Sequence, residues 1–164
     1  MVHVTQIENT FSDLQIGEFF AFKNNIVDII PMIKISESYA LALGTSQKYE
    51  IWQAYAIYPL STVHRIPNPI CKIPTAIFNP NTTFGQLDIG SAFSIGLPVK
   101  IMVKINLEPR MVNVEHGDML PNAICFVYDV QNLYDNILKF DSLLEYASGI
   151  AVTELDPVHI AFTC

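Results

Sequence analysis

The stretch TFSDLQIGEFFAF, residues 10–22, returns as TFGQLDIGSAFSI at residues 83–95. Thr10, Phe11, Leu14, Ile16, Gly17 and Phe20 are matched in register by Thr83, Phe84, Leu87, Ile89, Gly90 and Phe93. A chain of 164 residues that carries one phrase twice is constrained to build one local unit twice. Further matches follow in the same order. PMIKI (31–35) aligns with IMVKI (101–105), and YALAL (39–43) with NAICF (122–126) through Ala40 and Ala123. AIYPLSTVH (56–64) aligns with AVTELDPVH (151–159), which pairs Val63 with Val158 and His64 with His159. The offsets of 73, 70, 83 and 95 give the second copy mostly longer connections.

Within each copy the pattern is that of strands. IPMIKIS and VKIMVKIN alternate, which sets Ile33 and Ile35 on one face and Met32 and Lys34 on the other, with Val103/Ile105 and Met102/Lys104 as their counterparts. The isoleucine face is expected to fill each unit, and the methionine face to approach the other copy or a ligand cleft. KYEIWQAYAIY (48–58) is rich in β-branched and aromatic residues, and GIAVTELDPVHIAF (149–162) reads as two strands joined at Asp156-Pro157. Gly17 and Gly90 each follow Leu-x-Ile, where a glycine supplies a positive φ.

The string F-x-x-L-x-x-G-x-x-F, then K-I-[SN], Ala and Val, resembles that of a small SH3-like β-barrel of bacterial and phage proteins. It is carried by Phe11, Leu14, Gly17, Phe20, Lys34, Ile35, Ser36, Ala40 and Val63, and again by Phe84, Leu87, Gly90, Phe93, Lys104, Ile105, Asn106, Ala123 and Val158. The resemblance implies a mainly β fold of two tandem small SH3-like β-barrels and no particular reaction. The expected units are residues 1–66 and 83–164, joined by a Pro-rich linker over 67–82. Two features belong to the second copy alone: an inserted loop over 107–121 and an amphipathic helix over 132–148. Leu133, Ile137, Phe140, Leu144 and Ala147 make the helical stripe, and Gly149 the stop.

Composition narrows the function classes. The net charge is −7, with five Lys/Arg against six Asp/Glu up to Pro80 and four against ten thereafter. No basic cluster exists to meet a phosphate backbone, so nucleic acid is not an expected partner. No apolar run is long enough for a membrane span. The first residues lack the basic-then-apolar pattern of a leader, and three unpatterned cysteines suit a reducing compartment, so a cytoplasmic location is expected. With 51% hydrophobic and 15% charged residues, an extensive interface is expected, within the chain or in a homo-oligomer.

No nucleophile elbow, phosphate loop, dinucleotide fingerprint or zinc motif is present, and no cofactor is expected. Glu115, His116 and Asp118 on a Gly turn are the nearest approach to a metal-binding loop, and Cys125 with His159 to a nucleophile pair. Candidate ligand-binding residues are Tyr49, Trp52 and Tyr55 in the aromatic cluster, the repeated Lys34 and Lys104, and the paired His64 and His159. Asp135, Asp141 and Glu145 on the expected helix form an acidic rim for a basic partner surface. The sequence thus points to a non-enzymatic module that binds a protein partner, an inhibitor or accessory protein of phage type being one version. Sequestration of a small nucleotide-like ligand is the alternative, and a metal-assisted hydrolase a third reading.

Overall fold

The computed structural model describes residues 9–22, 30–44, 49–66, 69–72, 76–96, 100–107, 121–128 and 138–162. In the first half, β1 (Asn9–Thr10), β2 (Phe19–Phe22), β3 (Met32–Lys34), β4 (Tyr39–Ala42), β5 (Ala54–Ala56) and β6 (Thr62–Ile66) form an antiparallel sheet in the order β1-β6-β2-β3-β4-β5. A short pair, β7 (Pro69–Lys72) with β14 (His159–Phe162), stands beside the two large sheets. The second half contributes β8 (Ile77–Thr83), β9 (Ala92–Ser94), β10 (Lys100–Lys104), β11 (Ala123–Tyr128), β12 (Leu138–Leu144) and β13 (Ala151–Leu155). Their order, β8-β13-β9-β10-β11-β12, is that of the first sheet strand for strand.

Both sheets are open. β1 and β5 are free ends of one, β8 and β12 of the other, so the expectation of SH3-like β-barrels is corrected. The reason lies in burial. Met32, Ile33 and Lys34 are consecutive, hence on alternating faces, and all three are fully buried. A barrel strand hides one face; these strands hide two. One face of each sheet covers its own small core, made by Phe11, Leu14, Phe20, Met32 and Val63 in the first half and by Phe84, Leu87, Phe93, Met102 and Val152 in the second. The opposite faces meet in a common core, where Phe19, Ile33, Ile35, Leu41 and Trp52 pack in one cluster with Ile101, Val103, Ile105, Ile124 and Phe126. The two faces are therefore used the other way round from the sequence expectation: the isoleucines join the halves, and the methionines fill each half.

The stretch 67–82, expected as a linker, carries β7 and most of β8. The helix expected over 132–148 is also corrected. Residues 138–144 are strand β12, paired with β11, and no helix of that length occurs among the described residues. The register runs Phe126↔Phe140 and then Cys125↔Ser142, leaving Asp141 as the extra residue of a bulge. The bulge puts Phe140 and Leu143, three apart, on the shared core while Leu144 faces the second half's own core. Phe140 and Leu144, expected on one helical stripe, therefore lie on opposite faces of a strand. Asp135 and the stretch 108–120, with Glu115, His116 and Asp118, lie outside the described residues.

The strand registers also change the last match of the repeat. Thr10 pairs with Thr62 and Asn9 with Val63, whereas Thr83 pairs with Ala151 and Thr82 with Val152. The counterpart of Val63 is thus Val152, and that of His64 is Thr153. His159 belongs to β14, whose backbone pairs with Lys72.

Reciprocal contacts close the seam between halves. A Cβ built at Gly90 would lie 2.9 Å from Trp52 Cδ1, and one at Gly17 would lie 2.7 Å from Phe140 Cδ1. Both glycines have φ in the left-handed region, +93° and +96°. Gly17→Ala and Gly90→Ala are each expected to destabilise the whole protein by about 1–3 kcal/mol, through overpacking and an unfavourable φ. Denaturant midpoints that match the parent would contradict this.

Candidate functional site

The duplicated phrase folds into one device, used twice. Phe11–Asp13 and Phe84–Gln86 form single 3-10 turns. The backbone N–H of Thr10 donates to Asp13 Oδ2 (2.9 Å), and that of Thr83 to Gln86 Oε1 (3.3 Å). The bonds from the Thr10 N–H and hydroxyl hold the Asp13 carboxyl below its ordinary range, with smaller help from Arg65 and Lys34. Gly17 N–H then donates to the Lys34 carbonyl and Gly90 N–H to the Lys104 carbonyl, each at 2.7 Å. The lysine side chains run beneath. Lys34 Nζ donates to the carbonyls of Phe11 (3.0 Å) and Leu14 (2.8 Å) and lies 4.6 Å from the centre of the Phe11 ring. Lys104 Nζ does the same to Phe84 (3.2 Å) and Leu87 (2.8 Å), 4.9 Å from the Phe84 ring. The repeated lysines thus satisfy buried carbonyls of the turn that the repeated phrase builds.

Above the second turn, at the seam, the surface is concave. A hollow of about 360 Å³ is lined by Ile51, Trp52, Phe78, Ile89, Gly90, Ser91, Glu154, Leu155 and Pro157. Four segments build it. Trp52 comes from the turn before β5 and takes a φ of 62°, rare for a residue with a bulky side chain. Its N–H donates to Ala42 of its own half (2.8 Å), and its carbonyl accepts from Asn106 of the other (3.0 Å). Asn106 also accepts from Ala54 N–H (3.0 Å), so the backbone of the two halves is stitched beside the hollow. Ile89, Gly90 and Ser91 come from the turn into β9. Phe78 and Glu154 come from β8 and β13, where Asn79 pairs with Glu154 and Ile77 with Leu155.

The rim is apolar and wet: Ile51 is 41% exposed, Ile89 45% and Phe78 71%. Phe78 sits on an edge strand that contains Pro80, and a proline without an N–H blunts that edge against a further strand. Contacts made here would therefore be side-chain contacts. Glu154 is the only charged residue in the lining, and among the described residues no donor reaches its carboxylate.

The other sequence candidates are dispersed. Tyr49 and Tyr55 stack edge to face with centres 4.8 Å apart against the first half's own core, and Tyr55 Oη accepts from Glu50 N–H (2.8 Å). The structure therefore brings Trp52 to the hollow and leaves the tyrosines outside its lining. His64 is exposed on β6, with its backbone opposite Ala21. Asp141 pairs with Lys100 (3.5 Å) and accepts from Ser142 Oγ (3.0 Å), and Glu145 is exposed. Phe78 and Glu154 were missed in the sequence because β8 lies in a Pro-rich stretch and Glu154 carries no motif. Ile89 and Ile16 did carry a signal, as apolar residues repeated at a turn.

Among the described residues no group of three His, Cys, Asp or Glu side chains is placed to hold a metal, and no helix is long and apolar enough to cross a membrane. No protein-family model matches the chain, and no curated protein or solved structure matches it significantly. The SH3-like resemblance is therefore supported neither by the open sheets nor by any relative.

Cys125 is fully buried in the second half's own core, and burial, aided by nearby Asp141, pushes its thiol up to about 11. In a Cys71→Ser/Cys164→Ser background, native protein at pH 8 is expected to resist iodoacetamide until it is unfolded; rapid labelling would contradict the burial. Since the folded thiol holds its proton above the ordinary value of 9.0, stability carried by Cys125 is present below pH 9 and lost as pH rises toward 11.

Lys34→Met keeps the stem but leaves the Phe11 and Leu14 carbonyls without their donor. A loss of about 1–3 kcal/mol in urea unfolding is expected. Lys104→Met should cost less, since its site is only partly buried. Equal stability of Lys34→Met and parent would show that water replaces the ammonium.

Proposed function

We propose that this protein is a non-enzymatic binding module that engages a protein partner through the seam hollow. The observation that supports this reading most directly is the exposed apolar rim of Ile51, Phe78 and Ile89 around a concave floor at the junction of the halves. Apolar side chains held out on strands and turns, with a polar group among them, are what protein recognition uses. Sequestration of a small ligand is supported less well, because so exposed a rim leaves a small molecule largely in water, whereas ligand pockets enclose most of theirs.

The test is site-specific photocrosslinking in cells that produce the protein. With p-benzoylphenylalanine at position 78, a discrete protein adduct is expected. It should be absent with the probe at position 58, which is equally exposed in the first half, and lost when Ile89→Asp is added. Equal adducts from both positions, or none from position 78, would contradict the reading.

A further inference from the structure

The first half shows how the corresponding place is filled when it is filled from within. Arg65, opposite Phe20 in the β2–β6 register, donates from Nε to Glu18 Oε2 (2.9 Å) and from Nη2 to the Asp13 carbonyl (3.1 Å). In the second half, the residue opposite Phe93 is Glu154, and the position of Glu18 is taken by Ser91. The backbone bonds fix that equivalence: Lys34 N–H donates to Glu18 and Lys104 N–H to Ser91, both at 3.0 Å. On one scaffold, a cation–anion pair has become an anion beside a neutral hydroxyl, and both of these residues line the hollow.

The surroundings reinforce the sign. Glu50, Asp88 and Asp156 each adjoin a lining residue in sequence, and no Lys or Arg does. A carboxylate in the lining of an apolar hollow with an acidic margin favours a cation that tolerates apolar walls. Guanidinium does so better than ammonium, because its flat faces are weakly hydrated and its fork fits a carboxylate.

We propose that the hollow anchors an arginine side chain of the protein partner, with Glu154 as counter-ion and Ile51, Phe78 and Ile89 against the stem and the neighbouring residues. This rests on the protein-binding reading above and gives its chemistry. The partner supplies in trans the cation that Arg65 supplies in cis.

Trp52 is the chain's only tryptophan and lines the hollow, so its fluorescence reports occupancy directly. The probes are two blocked tripeptides, Leu-Arg-Leu and the isosteric neutral Leu-citrulline-Leu, titrated into the full chain. A saturable change in Trp52 emission is expected, with the arginine peptide about fivefold tighter and its advantage fading as salt is added. Glu154→Gln should remove that advantage. Ser91→Arg, which restores an internal cation beside Glu154, should abolish arginine binding and gives a second readout if Glu154→Gln folds poorly. Equal binding of the two peptides to the parent overturns the arginine anchor while leaving the binding module in place. Absence of any saturable change overturns the anchor, and the photocrosslink then decides separately whether the module reading falls with it.

Discussion

Met32, Ile33 and Lys34 are consecutive and wholly buried, so the central strand of the first sheet has no face to give to water. Ala92, Phe93 and Ser94 put the second sheet under the same constraint. A sheet with two apolar faces needs two covers. Phe11 and Leu14 in the first half, and Phe84 and Leu87 in the second, help to supply one from the 3-10 turn and the residue after it; the sister sheet supplies the other. Closure into a barrel would cover one face and strand the second, which is why the edges stay open and the isoleucine faces meet. The high apolar content, which in an isolated small unit would be a liability, is absorbed in that common core.

The seam has a directional element as well as an apolar one. Each half presents a glycine from its duplicated turn, and each covers the other's glycine with an aromatic ring, Trp52 over Gly90 and Phe140 over Gly17. Phe140 achieves this from a regular strand that a bulge has re-aimed. Trp52 achieves it from a left-handed backbone, a conformation that costs roughly 1–3 kcal/mol in a residue of this kind. The bonds from Trp52 to Ala42 and to Asn106 are what hold it there. That strain sits at the edge of the hollow, where backbone from both halves and the indole converge.

How far the chain could be read follows from the same physics. Residues of the repeated phrase are fixed by local demands, namely a turn, a positive φ and a lysine beneath it, so they recur in register and were legible as a repeat. Alternation in PMIKI and IMVKI gave strands but not the direction of their faces, because both faces are buried and the pattern is nearly symmetric. The helix was misread for an identifiable reason. Phe140 and Leu144 are four apart, which matches a helical step, yet the bulge at Asp141 sets them on opposite faces of β12, and hydrophobic spacing alone does not reveal a bulge. The pairing of His64 with His159 failed because VH recurs by chance one strand too late; only the ladder to β8 and β9 sets Val152 as the counterpart of Val63. The hollow was almost wholly hidden, since its lining comes from four segments that only the tertiary fold brings together.

Comparison of the halves separates what the scaffold needs from what it leaves open. Positions that bind the turn to its lysine, or the glycine to its aromatic cover, are kept or replaced by chemical equivalents, as Asp13 by Gln86. Positions 18 and 65 are the contrast. They lie on the same rigid frame as 91 and 154, yet Glu–Arg in one half faces Ser–Glu in the other. Nothing in the common core constrains that exchange, since the Arg65–Glu18 pair is part-exposed, with 45% and 33% of the two side chains in solvent, and such pairs contribute little to stability. An exchange with little structural consequence, at a concave and apolar place on the seam, is where a duplicated scaffold is free to diverge in what it binds. The first half sets its own charge pair at this position; the second sets a carboxylate among exposed apolar side chains, and it is this difference between the copies that the proposed arginine anchor would use.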